Sequence, residues 1–104
     1  MRATIRWTRR ARLDLLEIGD FIARDKPGAA AMWVGKILNA VERTAFLPTS
    51  GRIVSKIDRN DIREVILDSY RIVYQERDHQ IVVLTVFEGH RLLSESDLDS
   101  NTSE

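Results

Sequence analysis

Ile62-Arg63-Glu64-Val65-Ile66-Leu67, Tyr70-Arg71-Ile72-Val73-Tyr74-Gln75-Glu76-Arg77 and Ile81-Val82-Val83-Leu84-Thr85-Val86-Phe87 follow one another closely, separated by turns at Asp68-Ser69 and Asp78-His79. All three runs are rich in β-branched and aromatic residues, and the separators carry the residues that tight turns favour, so the stretch reads as a three-stranded antiparallel meander. On a strand, successive side chains point to opposite faces. Tyr70, Ile72 and Tyr74 therefore share one face, while Arg71, Val73 and Gln75 share the other. An arginine alternating with large apolar residues marks the face that meets water or an anionic partner. Ile81 to Phe87 is apolar on both faces, which suits a central strand buried on both sides.

Upstream, Ala3, Ile5 and Trp7 alternate with Thr4 and Arg6, a short strand signal, and Thr8 can cap the helix that follows. From Arg9 to about Arg24, Ala11, Leu15, Ile18 and Ile22 fall on one helical stripe. Leu13 and Leu16 lie off it, either as scattered surface residues or as part of a contact with another chain. Asp25-Lys26-Pro27-Gly28 breaks the helix, because the residue before a proline is pushed out of the helical region. A second helix buries Ala30, Val34, Ile37, Leu38, Val41 and Ala45, with Trp33 at its edge, and ends before Pro48. So short a connection predicts an antiparallel helical hairpin. Thr49 to Arg52 is a loop, and Ile53 to Asp61 reads as its irregular, charged extension.

The order strand, helix, helix and three strands predicts an α+β domain: an N-terminal strand and a two-helix hairpin packed on one face of a mostly antiparallel four-stranded sheet. Two helices cover one face only. The other is left open or is filled by a partner.

At 104 residues the chain supports one domain. Sixteen Lys and Arg balance sixteen Asp and Glu, and 43% of residues are hydrophobic, an ordinary composition for a water-soluble domain. No apolar run approaches a membrane span and the first residues lack the core of a secretion signal, so the expected location is the cytoplasm. Residues 94–104 hold four of the acidic residues and none of the basic ones, so residues 1–93 carry sixteen basic against twelve acidic groups. The domain is assigned to 1–93 and the acidic segment 94–104 reads as a disordered tail. Arg2, Arg6, Arg9, Arg10 and Arg12 form a basic patch that reads as a solvated surface before it reads as a nucleic-acid site.

Cysteine is absent, which excludes disulfides, thiol nucleophiles and cysteine metal sites. His79 and His90 lack zinc-ligand spacing, and no metal or cofactor is expected. No phosphate loop, dinucleotide fingerprint, HExxH helix or nucleophile elbow occurs. What remains is a set of arginines expected on the open side of the sheet: Arg52, Arg63, Arg71 and Arg91. Guanidinium forks gathered on a sheet face suit phosphate or carboxylate recognition. Equally, they can pair with Glu64, Asp68, Glu76 and Glu88 in surface salt bridges. His90, beside Arg91, is a candidate acid or base, the role histidine most often serves.

Gly51-Arg52, Ile62-Arg63-Glu64-Val65, Ser69-Tyr70-Arg71-Ile72-Val73-Tyr74, Ile81 to Phe87 and Arg91, taken with Ile5-Arg6-Trp7-Thr8, Ala11, Asp14-Leu15, Ile18 and Ala45-Phe46-Leu47-Pro48, resemble the ParE/RelE superfamily of bacterial toxin–antitoxin modules. The resemblance spans roughly residues 3 to 93. Their order and spacing, more than any single piece, carry it. It implies the same strand, hairpin and sheet, a part in growth arrest and plasmid stabilisation, and a cognate antitoxin that wraps the toxin by strand addition or with an amphipathic helix. Leu13, Leu16, Val82, Leu84 and Val86 are the expected antitoxin contacts, and Arg52, Arg63, Arg71 and Arg91 the expected target contacts. Operator DNA is expected to be bound only through the antitoxin.

RelE-type members cut messenger RNA on the ribosome with basic residues and, usually, a C-terminal tyrosine, whereas the characterised ParE-type members poison DNA gyrase. Arg71 and Arg91 match the two arginines of the ribonuclease pattern. Ile62 and Glu64 stand near the positions of its lysines, and Asp97 near that of its tyrosine. The resemblance thus favours a ParE-like toxin that inhibits gyrase by binding, with no catalytic residues. The alternative is a ribosome-dependent mRNA endoribonuclease using Arg71, His90 and Arg91.

Overall fold

Thr8 starts the first helix by accepting a hydrogen bond on its hydroxyl from the Ala11 amide at 3.1 Å, the N-cap contact its type favours. The same hydroxyl donates to the Leu84 carbonyl at 3.0 Å. One side chain therefore fixes both the helix and its seat on the sheet. A computed structural model describes residues 1–54, 57, 59–89 and 95–100. Its elements are β1 (Thr4–Trp7), α1 (Arg9–Asp25), α2 (Pro27–Phe46), β2 (Arg52–Ile53), β3 (Ile62–Leu67), β4 (Tyr70–Arg77), β5 (Gln80–Glu88) and a 3-10 turn at Glu95–Leu98. Pro27 opens α2, where its missing N–H costs nothing.

The sheet runs β1-β5-β4-β3-β2. The meander is antiparallel as expected, and β1 joins it parallel to β5, with Thr4 opposite Gln80 and Trp7 opposite Val83. Five strands replace the expected four, because Arg52–Ile53, read as loop, pairs with Glu64 and Arg63. Asp78 and His79 both hold positive φ, as the tight turn between β4 and β5 demands. β5 is an interior strand between β1 and β4, and a bulge opposite Val73/Tyr74 gives it one extra residue.

Two cores result. Ala11, Ile37, Ala40, Val41, Ala45, Tyr70, Ile72, Tyr74, Ile81, Val83 and Val86 fill the space between hairpin and sheet, with Leu15, Ile18, Ile22 and Trp33 at its margin. Leu38, expected in that stripe, is exposed instead, and Ala40 and Thr44 take the buried positions. On the opposite face Val54, Ile62, Val73, Val82, Leu84, Phe87 and Leu98 pack together with Ile57. This face is not left open for a partner, because the chain folds its own β2 loop and C-terminal turn over it. Burying one leucine such as Leu98 stabilises by roughly 1.5–3 kcal/mol, enough to hold so short a turn. Part of the segment expected to be a disordered tail is therefore ordered: Leu98 is buried, and Arg10 pairs with the buried Asp97.

Candidate functional site: a carboxylate that binds two arginines

Alternation places Ile62, Glu64 and Ile66 of β3 on the same sheet face as Arg71 and Val73 of β4. Arg52 is the direct cross-strand neighbour of Glu64, and Arg71 is its diagonal neighbour, since Glu64 opposes Val73. Glu64 is only 4% exposed. Its Oε2 accepts from Arg52 Nε at 2.7 Å and its Oε1 from Arg71 Nε at 2.8 Å, with Arg71 Nη2 donating to the same oxygen. Arg71 also lies over the Phe87 ring, 5.4 Å from its centroid. A carboxylate so placed offsets one of two positive charges and occupies the donor forks that an anionic ligand would need. Arg71 is pinned on both sides and only 16% exposed, whereas Arg52 keeps most of its side chain in solvent.

Arg63 does not join this pair. Arg63 projects to the helix side of the sheet, where it donates to the carbonyls of Gly51 at 2.8 Å and Thr49 at 3.2 Å and stands 3.6 Å from Glu76. The reason is parity: residue 63 is one step from 62 and 64 along the strand. Expecting Arg52, Arg63 and Arg71 together on one face was thus incorrect. Arg91 and His90 lie outside the described residues.

Of the expected antitoxin contacts, Leu13 and Leu16 are exposed by 47% and 63%. Val82 and Leu84 are fully buried under the chain's own loop and C-terminal turn, and Val86 under the helices. These three are core residues, a correction that follows from the chain covering both faces of β5 itself. A groove of about 690 Å³ lies instead between α1 and the end of the β4–β5 pair, lined by Asp14, Ile18, Phe21, Tyr70, Val86 and Glu88. Asp14 anchors its wall, accepting from Thr85 Oγ1 at 2.6 Å and the Val86 amide at 3.1 Å.

The loop beside the arginine pair is held by two devices. Tyr74 Oη donates to the Pro48 carbonyl at 2.6 Å and accepts from the Gly51 amide at 3.0 Å. Burial raises the pKa of Tyr74, and that of Tyr70 likewise. Asp61 accepts from Arg59 at 3.1 and 2.8 Å and from Gln75 at 2.7 Å. The Arg59 hydrogen bonds, then that of Gln75, lower its pKa from 3.8 to about 2. Because the folded value lies below the unfolded one, the stabilisation is complete above pH 3.8 and is lost as pH falls towards about 2. Urea melts of Asp61→Asn should show a deficit against the wild type at neutral pH that shrinks across this acid window.

Among the described residues no group of side chains is arranged to hold a metal ion, and no helix is long and apolar enough to cross a membrane. The architecture matches solved structures of the ParE and RelE toxin class. One is the chromosomal ParDE toxin–antitoxin system from P. aeruginosa, with a TM-score of 0.72 at 20% identity, covering 86% of this chain and 98% of that one. Another is an arginine-to-alanine double mutant of E. coli toxin RelE in the free state, with a TM-score of 0.57 at 20% identity and coverages of 85% and 84%. A third is the RelBE2 complex from Mycobacterium tuberculosis, with a TM-score of 0.56 at 23% identity and coverages of 85% and 99%. In sequence, the protein named "Putative toxin Y4kP" from Sinorhizobium fredii is 40% identical over 91 residues, 86% of this chain and 92% of its own length. The sequence model described as ParE toxin of type II toxin-antitoxin system, parDE, matches residues 5–93. The chain belongs to that ParE toxin family.

Proposed function

We propose that this toxin acts by binding DNA gyrase and blocking religation of the cut DNA, that it has no hydrolytic site of its own, and that a cognate antitoxin neutralises it. The observation that carries this reading is Glu64, buried and hydrogen-bonded to both Arg52 and Arg71. Cleaving RNA by attack of a ribose hydroxyl requires one group to take a proton, another to supply one, and cations to stabilise the charge that develops on the phosphate. Arg71 is the cation that the resemblance to RelE-type proteins would assign to that task. Its Nε and Nη2 donate to a carboxylate that would repel the phosphate. Ile62 is buried in the core on the sheet face opposite the helices, where a lysine would have to leave its charge unsolvated. Asp97, near the place of the RelE-type tyrosine, is buried and paired with Arg10, so a carboxylate already committed within the fold stands where that tyrosine would be.

An exposed Arg52 on a rigid sheet, and the exposed Leu13 and Leu16 of α1, suit protein contacts. Operator DNA is then reached only through the antitoxin. The test is a supercoiling assay with purified gyrase. Inhibition with accumulation of cleaved DNA is expected at concentrations that arrest growth, and arrest without any effect on gyrase would refute the proposal. Expression without the antitoxin that leaves growth unchanged would mark the chain as a binding module only.

A further inference from the structure

The outward face of α1 carries a pattern that the fold does not use. Ala11, Leu15, Ile18 and Ile22 turn inward to the second helix and the sheet. On the opposite side of the helix, Arg9, Leu13, Leu16 and Asp20 follow one another at steps of four, three and four residues, the spacing that lines side chains up in one seam. All four are exposed, the two leucines by 47% and 63%. Arg9 and Asp20 enter none of the ion pairs formed among the described residues. The seam is apolar in the middle and carries opposite charges at its two ends. Its order also burdens the helix. The first turn holds Arg9, Arg10 and Arg12 and no acid, although the positive end of the helix dipole lies there and repels cations.

These charges complement themselves in one orientation only. Laid side by side in the same direction, two copies of α1 would set Arg9 against Arg9 and Asp20 against Asp20. Laid antiparallel about a two-fold axis level with Asp14 and Leu15, they set Arg9 against Asp20 and Leu13 against Leu16, with every contact made twice. We infer that the outward face of α1 is a self-association surface, and that its occupant is a second copy of this chain in that antiparallel arrangement. Each Asp20 then also brings a negative charge to the basic first turn of the other copy's helix. Four residues a side make a smaller seam than the roughly 800 Å² per partner of a stable interface. The dimer is accordingly weak, with a dissociation constant on the order of 100 μM. Association withdraws Leu13 and Leu16 from every other protein, so it competes with the protein contacts proposed for α1 above. It holds whether or not the cellular target is gyrase.

The test is sedimentation of the purified full chain from about 10 μM to about 1 mM. The mass is expected to rise from 12.0 kDa towards that of two chains. Arg9→Glu and Asp20→Arg each weaken association by roughly tenfold or more, because either reversal sets like charges against each other at both ends of the seam. An equimolar mixture of the two single variants recovers it, as does the double variant alone, since opposite charges again face each other. Circular-dichroism melts check that the variants are folded, and the mixture shows that each remains competent to associate. A chain that stays monomeric across this range overturns the inference. So does a dimer that neither reversal weakens, or one that both weaken and the mixture fails to restore. Reversals that weaken binding of the antitoxin while leaving self-association intact assign the face to the antitoxin and likewise overturn it.

Discussion

Glu64→Ala is expected to destabilise the domain by about 3 kcal/mol, because removing one partner of a buried ion pair leaves the other charge uncompensated. Arg71 is the residue stranded, since it sits largely buried over Phe87 with two of its donors aimed at the missing carboxylate. Arg52 is mostly in solvent and loses little. Chemical denaturation should therefore show a large drop for Glu64→Ala and a smaller one for the double variant Glu64→Ala, Arg71→Ala, the two changes being coupled rather than additive. A second effect accompanies the first. With the carboxylate gone, both guanidinium groups are released to bind anions, so Glu64→Ala should show stronger salt-sensitive retention on a phosphate-bearing resin than the wild type. An unchanged stability with no gain in anion binding would mean that Glu64 does not hold the pair in solution.

Gly51→Ala should be comparably damaging for a steric reason. A Cβ at this position would stand 2.5 Å from Tyr74 Oη, 2.8 Å from Tyr74 Cε1 and 3.0 Å from the Glu64 carbonyl oxygen. Real Cβ atoms do not approach so closely, and Tyr74 is fully buried with its hydroxyl already committed to Pro48 and Gly51. The ring must move, which strands a buried hydroxyl and shifts the loop that carries Arg52. Overpacking together with the lost hydrogen bonds costs roughly 3 kcal/mol, or a fall in melting temperature on the order of 15 °C for a domain of this size. Tyr74→Phe in the Gly51→Ala background should recover part of the loss by relieving the closest contact. Equal melting temperatures for wild type and Gly51→Ala would show that the Tyr74 clamp is not formed.

The helical hairpin and the meander were legible because each rests on a strong local signal: the stripe Ala11, Leu15, Ile18, Ile22, the break at Pro27, and the paired turns at Asp68-Ser69 and Asp78-His79. What escaped were pairings between distant residues. Arg52–Ile53 is too short to carry any periodicity, so its role as an edge strand is visible only once β3 is in place. Leu98 lies in an acidic, polar segment, and nothing local distinguishes a leucine that covers the sheet from one in a disordered tail. The arginines show the same division. Counting parity along Ile62–Leu67 would have separated Arg63 from Glu64. The convergence of Arg52 and Arg71 on one buried carboxylate, by contrast, needs the register of three strands. Val82, Leu84 and Val86 were rightly placed on a strand buried on both faces. What buries them is the chain itself.

The account turns on whether the Arg71 face can cut RNA. The most direct measurement is toe-printing of a translated message with and without the purified toxin, at concentrations that arrest growth. The buried pairing of Glu64 with Arg71 predicts no toxin-dependent breaks on the ribosome-bound message. Codon-specific cuts that disappear in Arg71→Ala would contradict it and assign the protein to the ribonuclease branch.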